Sequence, residues 1–169
     1  MATAATTRRR VRAAASLVLA SALLAACGDS APQRDSAGAI DGPTETRLLE
    51  LREGDCVQNM RLGIEKPDGG HNGVPKIVAV PCSQPHDGEI LLIASIGDGD
   101  WPGAHIVDGE AARGRQGLTP RLARGEAAVG EDLTLFTFRP TQERWEFEDQ
   151  HEVVFVALLP KPRSRALPR

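Results

Sequence analysis

Cys82 and His86 stand four residues apart, with Asp87 beside the histidine, a combination that could make a thiol nucleophile and its base. That chemistry needs a free thiolate. Cys56, Cys82, His71 and His86 could instead form a tetrahedral zinc set, although their spacing contains no CxxC or HxxxH pair. Asp98, Asp100 and Asp108 suggest calcium. A loop counted from Asp98 puts Pro102 at its fifth position and Gly109 at its twelfth, where a bidentate glutamate belongs, which argues against that ion. Ser83 lacks the GxSxG setting of a serine nucleophile. Which of these chemistries survives depends on the compartment the cysteines occupy.

The compartment is read from Cys27. Arg8, Arg9, Arg10 and Arg12 form a positive start, residues 13–24 are apolar apart from Ser16 and Ser21, and Ala25-Ala26 precede the cysteine. The apolar run falls short of the roughly 20 residues that a spanning helix needs, so it reads as a cleaved signal. Small residues before Cys27 suit a lipoprotein signal peptidase, which leaves Cys27 as the acylated first residue on the extracytoplasmic face of the cell membrane. Removing residues 1–26 from the 169 leaves 143, enough for one domain with one core. The signal holds four of the 20 Lys and Arg, so 16 remain against 23 Asp and Glu, a net charge of −7. An acidic chain is a poor nucleic-acid binder, because that affinity rests on neutralising phosphates.

With Cys27 taken by lipid, Cys56 and Cys82 are the thiols left in an oxidising compartment, and they are expected to pair. The pairing removes the nucleophile and disfavours zinc, so no catalytic residue, cofactor or metal is assigned. In this reading His86 and Asp87 fix a turn by hydrogen bonds, with Pro85 setting its geometry.

The elements that must position these residues follow from composition and periodicity. Residues 27–46 are rich in Gly, Ser, Ala, Pro and Asp, with Ile40 the one large aliphatic residue, and read as a flexible lipidated tether spanning about 25 Å. Residues 47–160 form the domain. Leu48–Leu51 makes a short strand or helical turn before Gly54-Asp55-Cys56, residues 65–75 form a loop, and Lys76–Val80 is β-rich. Glu89–Ile96 is a near-continuous apolar run of strand length. Two modest helices are expected between about Val107 and Val129, broken near Gly114 and Gly117 and restarted at Thr119-Pro120. Asp132–Arg139 alternates as a strand, Pro140–Arg144 reads as a turn, and Val153–Leu159 as a central strand. The tail, residues 161–169, carries four positive charges and reads as a disordered basic end that could touch an anionic membrane or wall polymer. The fold expected is α+β: an antiparallel sheet of four to five strands, one or two short helices and one disulfide.

In order, Gly54-Asp55-Cys56, then Val78-Ala79-Val80-Pro81-Cys82 with Pro85-His86-Asp87-Gly88-Glu89, then Ala111, Pro140-Thr141 and Trp145, make a pattern across about residues 48–159. The pattern resembles the septum-formation-related domain of actinobacterial envelope proteins. The resemblance implies a small extracytoplasmic domain with disulfides, linked to septum formation, with no assigned catalytic activity. It also implies a second cysteine pair, between the helical region and the last strand near Phe155, and this chain lacks both members. Phe155 is expected to fill the vacated space against Ala111, Ala112 and Gly114.

These readings make the chain a lipid-anchored envelope protein with a non-catalytic binding role, possible partners being another envelope protein or a wall polymer. Pro85, His86, Asp87 and Trp101 are the expected contact residues, Trp101 because an aromatic ring among Pro102 and flexible glycines makes a lid or a contact point. A small-ligand sensor or accessory domain is the alternative. A small envelope hydrolase using His86 and acidic neighbours is a third.

Overall fold

In the computed structural model, which describes residues 31–60 and 77–168, the most apolar run of the chain becomes a strand buried on both faces. This strand, β6 (Glu152–Arg163), sends Val153, Phe155, Ala157 and Leu159 to one core cluster and Val154, Val156 and Leu158 to the other. The period of two in a pleated strand is the cause. β6 lies between β4 (His86–Ser95) and β5 (Thr134–Phe138), antiparallel to both. Three further strands, β1 (Thr44–Thr46), β2 (Cys56–Gln58) and β3 (Ile77–Val80), extend the sheet beyond β4 in the order β1-β3-β2-β4-β6-β5. The α+β class and the antiparallel sheet hold, with six strands where four to five were expected.

One face of the sheet is covered by a single helix, α1 (Ala104–Val129), which buries Val107, Ala111 and Leu118. It replaces the two short helices expected. Pro120 lies inside it on an exposed stretch, so the helix loses one backbone bond where water can serve the freed carbonyl. The helix ends at Gly130, left-handed at φ +73°, whose N–H bonds to Glu126 O at 2.7 Å. A second helix, α2 (Gln142–Glu148), stands where a turn was expected, and the Thr141 hydroxyl caps it by accepting from the Arg144 N–H at 3.3 Å. Phe155 fills the space expected of it: a Cβ on Gly114 would lie 2.3 Å from Phe155 Cζ, and Ala111 belongs to the same cluster, while Ala112 is exposed.

Two boundary readings are corrected. The expected tether is docked over its described part: residues Arg34 and Ile40 form a bridge, Ile40 is buried in the core, and β1 pairs with β3. The composition of this segment is that of a linker, but one aliphatic anchor, backbone pairing and one ion pair suffice to seat it. Arg34 makes that ion pair, donating to Asp55 Oδ1 at 2.8 Å and Oδ2 at 2.6 Å. The Asp55 bonds raise the guanidinium pKa still further above its ordinary value, against the opposing effect of burial. The tail is also docked. β6 continues to Arg163, and the buried Leu167 gives its N–H to Glu89 Oε2 at 2.7 Å.

Arg34→Ala is expected to weaken this clamp by roughly 1.5–3 kcal/mol, the scale for hydrogen bonds to a charged group. Amide exchange should then quicken across residues 39–46 and leave β4 and β6 protected. Unchanged exchange at Ile40 would show that the ion pair does not hold the segment.

Candidate functional site

The turn Gly54-Asp55-Cys56 sits against the start of β4. Gly54 takes φ +89°, which its lack of a Cβ permits, and its N–H bonds to Ile90 O at 2.7 Å while Ile90 N–H bonds back to Asp55 O at 2.9 Å. This exchange puts Cys56 opposite Glu89 on the neighbouring strand. Cys56 also faces Val80 of β3, and Pro81 ends that strand so that Cys82 turns back toward it. The two cysteines are bonded, with their Cα atoms 5.2 Å apart. A thiol nucleophile at Cys82 is therefore not available in this state.

The segment Pro85-His86-Asp87 divides between surface and core. Pro85 is exposed, and its carbonyl accepts from Gln58 Nε2. Asp87 is half-buried and its carboxylate accepts the Met60 N–H at 3.3 Å. His86, expected among the contact residues, is instead fully buried, which corrects that assignment. It opens β4 opposite Arg163, and its Nδ1 lies 2.9 Å from Gln84 O, so that nitrogen carries the proton and donates it. Its Nε2 is buried without a hydrogen-bond partner. The reading that His86 and Asp87 fix the turn by hydrogen bonds agrees with this geometry. Gly88 follows them because β4 passes close under β2: a Cβ there would meet Val57 Cγ2 at 2.8 Å.

Glu89 was not singled out by sequence, yet it is a buried carboxylate at the head of the apolar run of β4. Arg121 reaches down from α1 to Glu89 Oε1 at 3.4 Å and to Leu91 O at 2.6 Å. The only sequence signal is an acidic residue opening the run EILLIASI, a position usually read as the polar end of a strand. One atom each from Cys56, His86 and Glu89 lie within 4.8 Å of one another.

Trp101, half-buried, meets Trp145 edge-on at a centroid distance of 5.5 Å. Trp145 is core, and its indole N–H bonds to Gly99 O at 2.7 Å, which anchors the Gly-Asp loop. His151, not foreseen, stacks on Trp145 at 4.2 Å. Trp101, Val107, Phe136, Phe138 and Pro140 line a surface groove of about 670 Å³ between α1 and β5, with Asp108 and Arg139 paired at 2.6 Å on its rim. Asp108 is committed there and Asp98 lies 3.4 Å from His151, so the three aspartates considered for calcium are not gathered. A larger recess, about 860 Å³, lies beside the disulfide and is walled by Arg34, Asp41, Arg52, Glu53, Ser83 and Gln84.

Cys27, the segment expected to be a signal and His71 fall outside the described residues. Among the described residues no helix is long and apolar enough to cross a membrane. The fold and site thus define an α+β domain with a six-stranded antiparallel sheet, one disulfide and an aromatic surface groove. Comparison with protein-family models, curated proteins and solved structures finds no match for this chain.

Proposed function

We propose that this chain is a lipid-anchored protein of the extracytoplasmic envelope that binds a partner through the Trp101 groove and catalyses no reaction. The lipid sits on Cys27. The partner is an envelope protein or a wall polymer, and a role in septum formation rests on the resemblance of residues 48–159 alone. The observation that carries the binding reading is the groove itself, where the half-buried Trp101 stands beside the charged Asp108–Arg139 rim. Aromatic anchors of this kind dominate recognition surfaces. The Cys56–Cys82 bond supports the extracytoplasmic address and leaves no thiolate for catalysis. The ligand-sensor alternative is supported less, because the large recess is walled by charged side chains rather than by the apolar lining usual for small-molecule cavities.

A photo-crosslinking residue at Ala104, which lines the groove, is compared with one at exposed Ser83 in the recess. Crosslinking in native membranes is expected to give a discrete adduct from position 104 that weakens on Trp101→Ala, and none from 83. Equal capture at the two positions, or capture indifferent to Trp101, removes the groove from the reading. The anchor is checked separately by the mass of the amino-terminal peptide, which should carry acyl chains on Cys27.

A further inference from the structure

We infer that the reduced chain holds a zinc ion at Cys56, Cys82, His86 and Glu89, and that forming the Cys56–Cys82 bond expels it. The inference is independent of the partner reading and concerns the interior of the sheet.

Two observations point to a ligand here. A sulfur, an imidazole nitrogen and a carboxylate oxygen from Cys56, His86 and Glu89 lie within 4.8 Å of one another, all on fully or nearly fully buried residues. Independently, His86 Nε2 is buried with no partner. An unpaired buried acceptor costs about 1–3 kcal/mol, so a fold that keeps one has a polar atom to spare for some other state. Because Nδ1 donates to Gln84 O at 2.9 Å, the lone pair of the neutral ring lies on Nε2. That is the arrangement of metal-binding histidines, whose second nitrogen is fixed by a backbone carbonyl or carboxylate.

The geometry suits a tetrahedral dication. Zinc takes sulfur at about 2.3 Å and nitrogen or oxygen at about 2.0–2.2 Å, which places tetrahedral ligands about 3.3–3.8 Å apart. The gathered atoms need to close inward by about an ångström from their outer limit. Cys82 supplies the fourth ligand from a Cα 5.2 Å from that of Cys56, near enough for two freed sulfurs to share one ion by side-chain rotation. Exchanging the disulfide for Zn²⁺ and two thiolates adds no net charge. With the disulfide formed, Glu89 faces Arg121, and Arg163 stands opposite His86 on β6. With zinc bound, two thiolates offset the dication, and Arg121 still offsets Glu89, whose Oε2 keeps the Leu167 N–H. A buried charge without such compensation is not tolerated.

The exchange is a two-electron step. A dithiol reductant gives two electrons to the Cys56–Cys82 bond, becoming a disulfide itself and leaving two thiols; Zn²⁺ then takes both sulfurs as thiolates and their protons pass to water. In the reverse direction a disulfide oxidant takes two electrons, the two sulfurs bond to each other, and Zn²⁺ leaves. A chain exported with its thiols reduced would carry the ion until oxidation.

The test uses the full chain with Cys27→Ser, so that only the two relevant thiols are present, reduced with a water-soluble phosphine and titrated with Co²⁺. One equivalent should produce sulfur-to-cobalt charge-transfer absorption together with the intense visible bands of tetrahedral cobalt. Zn²⁺ should abolish both, and the unreduced chain should show neither. His86→Gln and Glu89→Gln, which keep side-chain volume, are each expected to weaken cobalt binding at least about tenfold. Absence of the bands in the reduced chain overturns the site, and so does unchanged affinity in His86→Gln, which would leave the thiols as the only ligands. If reduction unfolds the chain, Co²⁺ or Zn²⁺ should restore its β-sheet circular dichroism; failure to do so equally overturns the proposal.

Discussion

Truncating Phe155 to alanine should lower the folding free energy by about 3–5 kcal/mol, the range for a large aromatic removed from a packed core. Phe155 is fully buried on β6, and the tip of its ring enters a gap in α1 that exists because residue 114 is glycine. The complementary substitution gives the sharper result. In an ordinary exposed helix Gly→Ala stabilises by about 1 kcal/mol. At Gly114 the new methyl would lie 2.3 Å from Phe155 Cζ and 2.5 Å from Cε2, so Gly114→Ala should instead destabilise by roughly 1–3 kcal/mol. In the Phe155→Ala background the same substitution should become neutral or stabilising. Denaturant midpoints of the four proteins in the cycle measure this change of sign. Additive effects would mean that the ring does not occupy the glycine gap.

This packing was legible from sequence because the signals reinforce one another: a highly apolar run of strand length at Val153–Leu159, small residues at Ala111 and Gly114 in the helical region, and the large Phe155 expected to face them. β4, β5 and β6 were legible for the same reason, each being a run whose period or continuity matches a buried strand. The long α1 was not. Gly114, Gly117 and Pro120 read as breaks, but Gly114 is there for close packing, and Pro120 faces outward where one lost bond is inexpensive. Helix α2 was hidden by the attention given to Pro140, although Thr141 followed by Gln-Glu-Arg is a cap and a helix start. β1 could not be read at all. Three residues in a Gly-Pro-Ser-rich context have no periodicity, and what fixes them is pairing with β3 together with the distant Arg34–Asp55 contact.

At the site, types and spacing pointed to the correct cysteine pair but not to its surroundings. That Cys56 and Cys82 would pair was read from the cysteine count once Cys27 is set aside. That His86 is buried and not on the surface goes with β6 running on far enough to pair Arg163 with it, a partner far along the chain. No local pattern encodes it. Glu89 was missed for a related reason: an acidic residue at a strand end is ordinarily solvated, and Arg121, brought by a helix that begins fifteen residues later, together with the Leu167 N–H makes its burial tolerable.

Replacing both cysteines by serine should lower stability by about 3.5 kcal/mol, since the bond joins residues 26 apart and closes a loop of that size in the unfolded chain. For a domain of this length the melting temperature should fall by roughly 10–15 °C. Folded-state contacts modify this figure in a definite direction. Cys56 is fully buried, and a serine hydroxyl there sits beside Glu89 and His86, two groups able to accept its proton. Cys56→Ser with Cys82→Ser should therefore be less damaging than Cys56→Ala with Cys82→Ser, which leaves the same polar atoms against a methyl group. The difference should be about 1 kcal/mol, the scale of one hydrogen bond. The serine pair should also lose the response to a phosphine reductant: wild type melts lower after reduction, and the double variant does not move. If reduction leaves the wild-type melting temperature unchanged in metal-free buffer, the bond contributes nothing to the folded state, and the interior of the sheet alone holds β2 against β3.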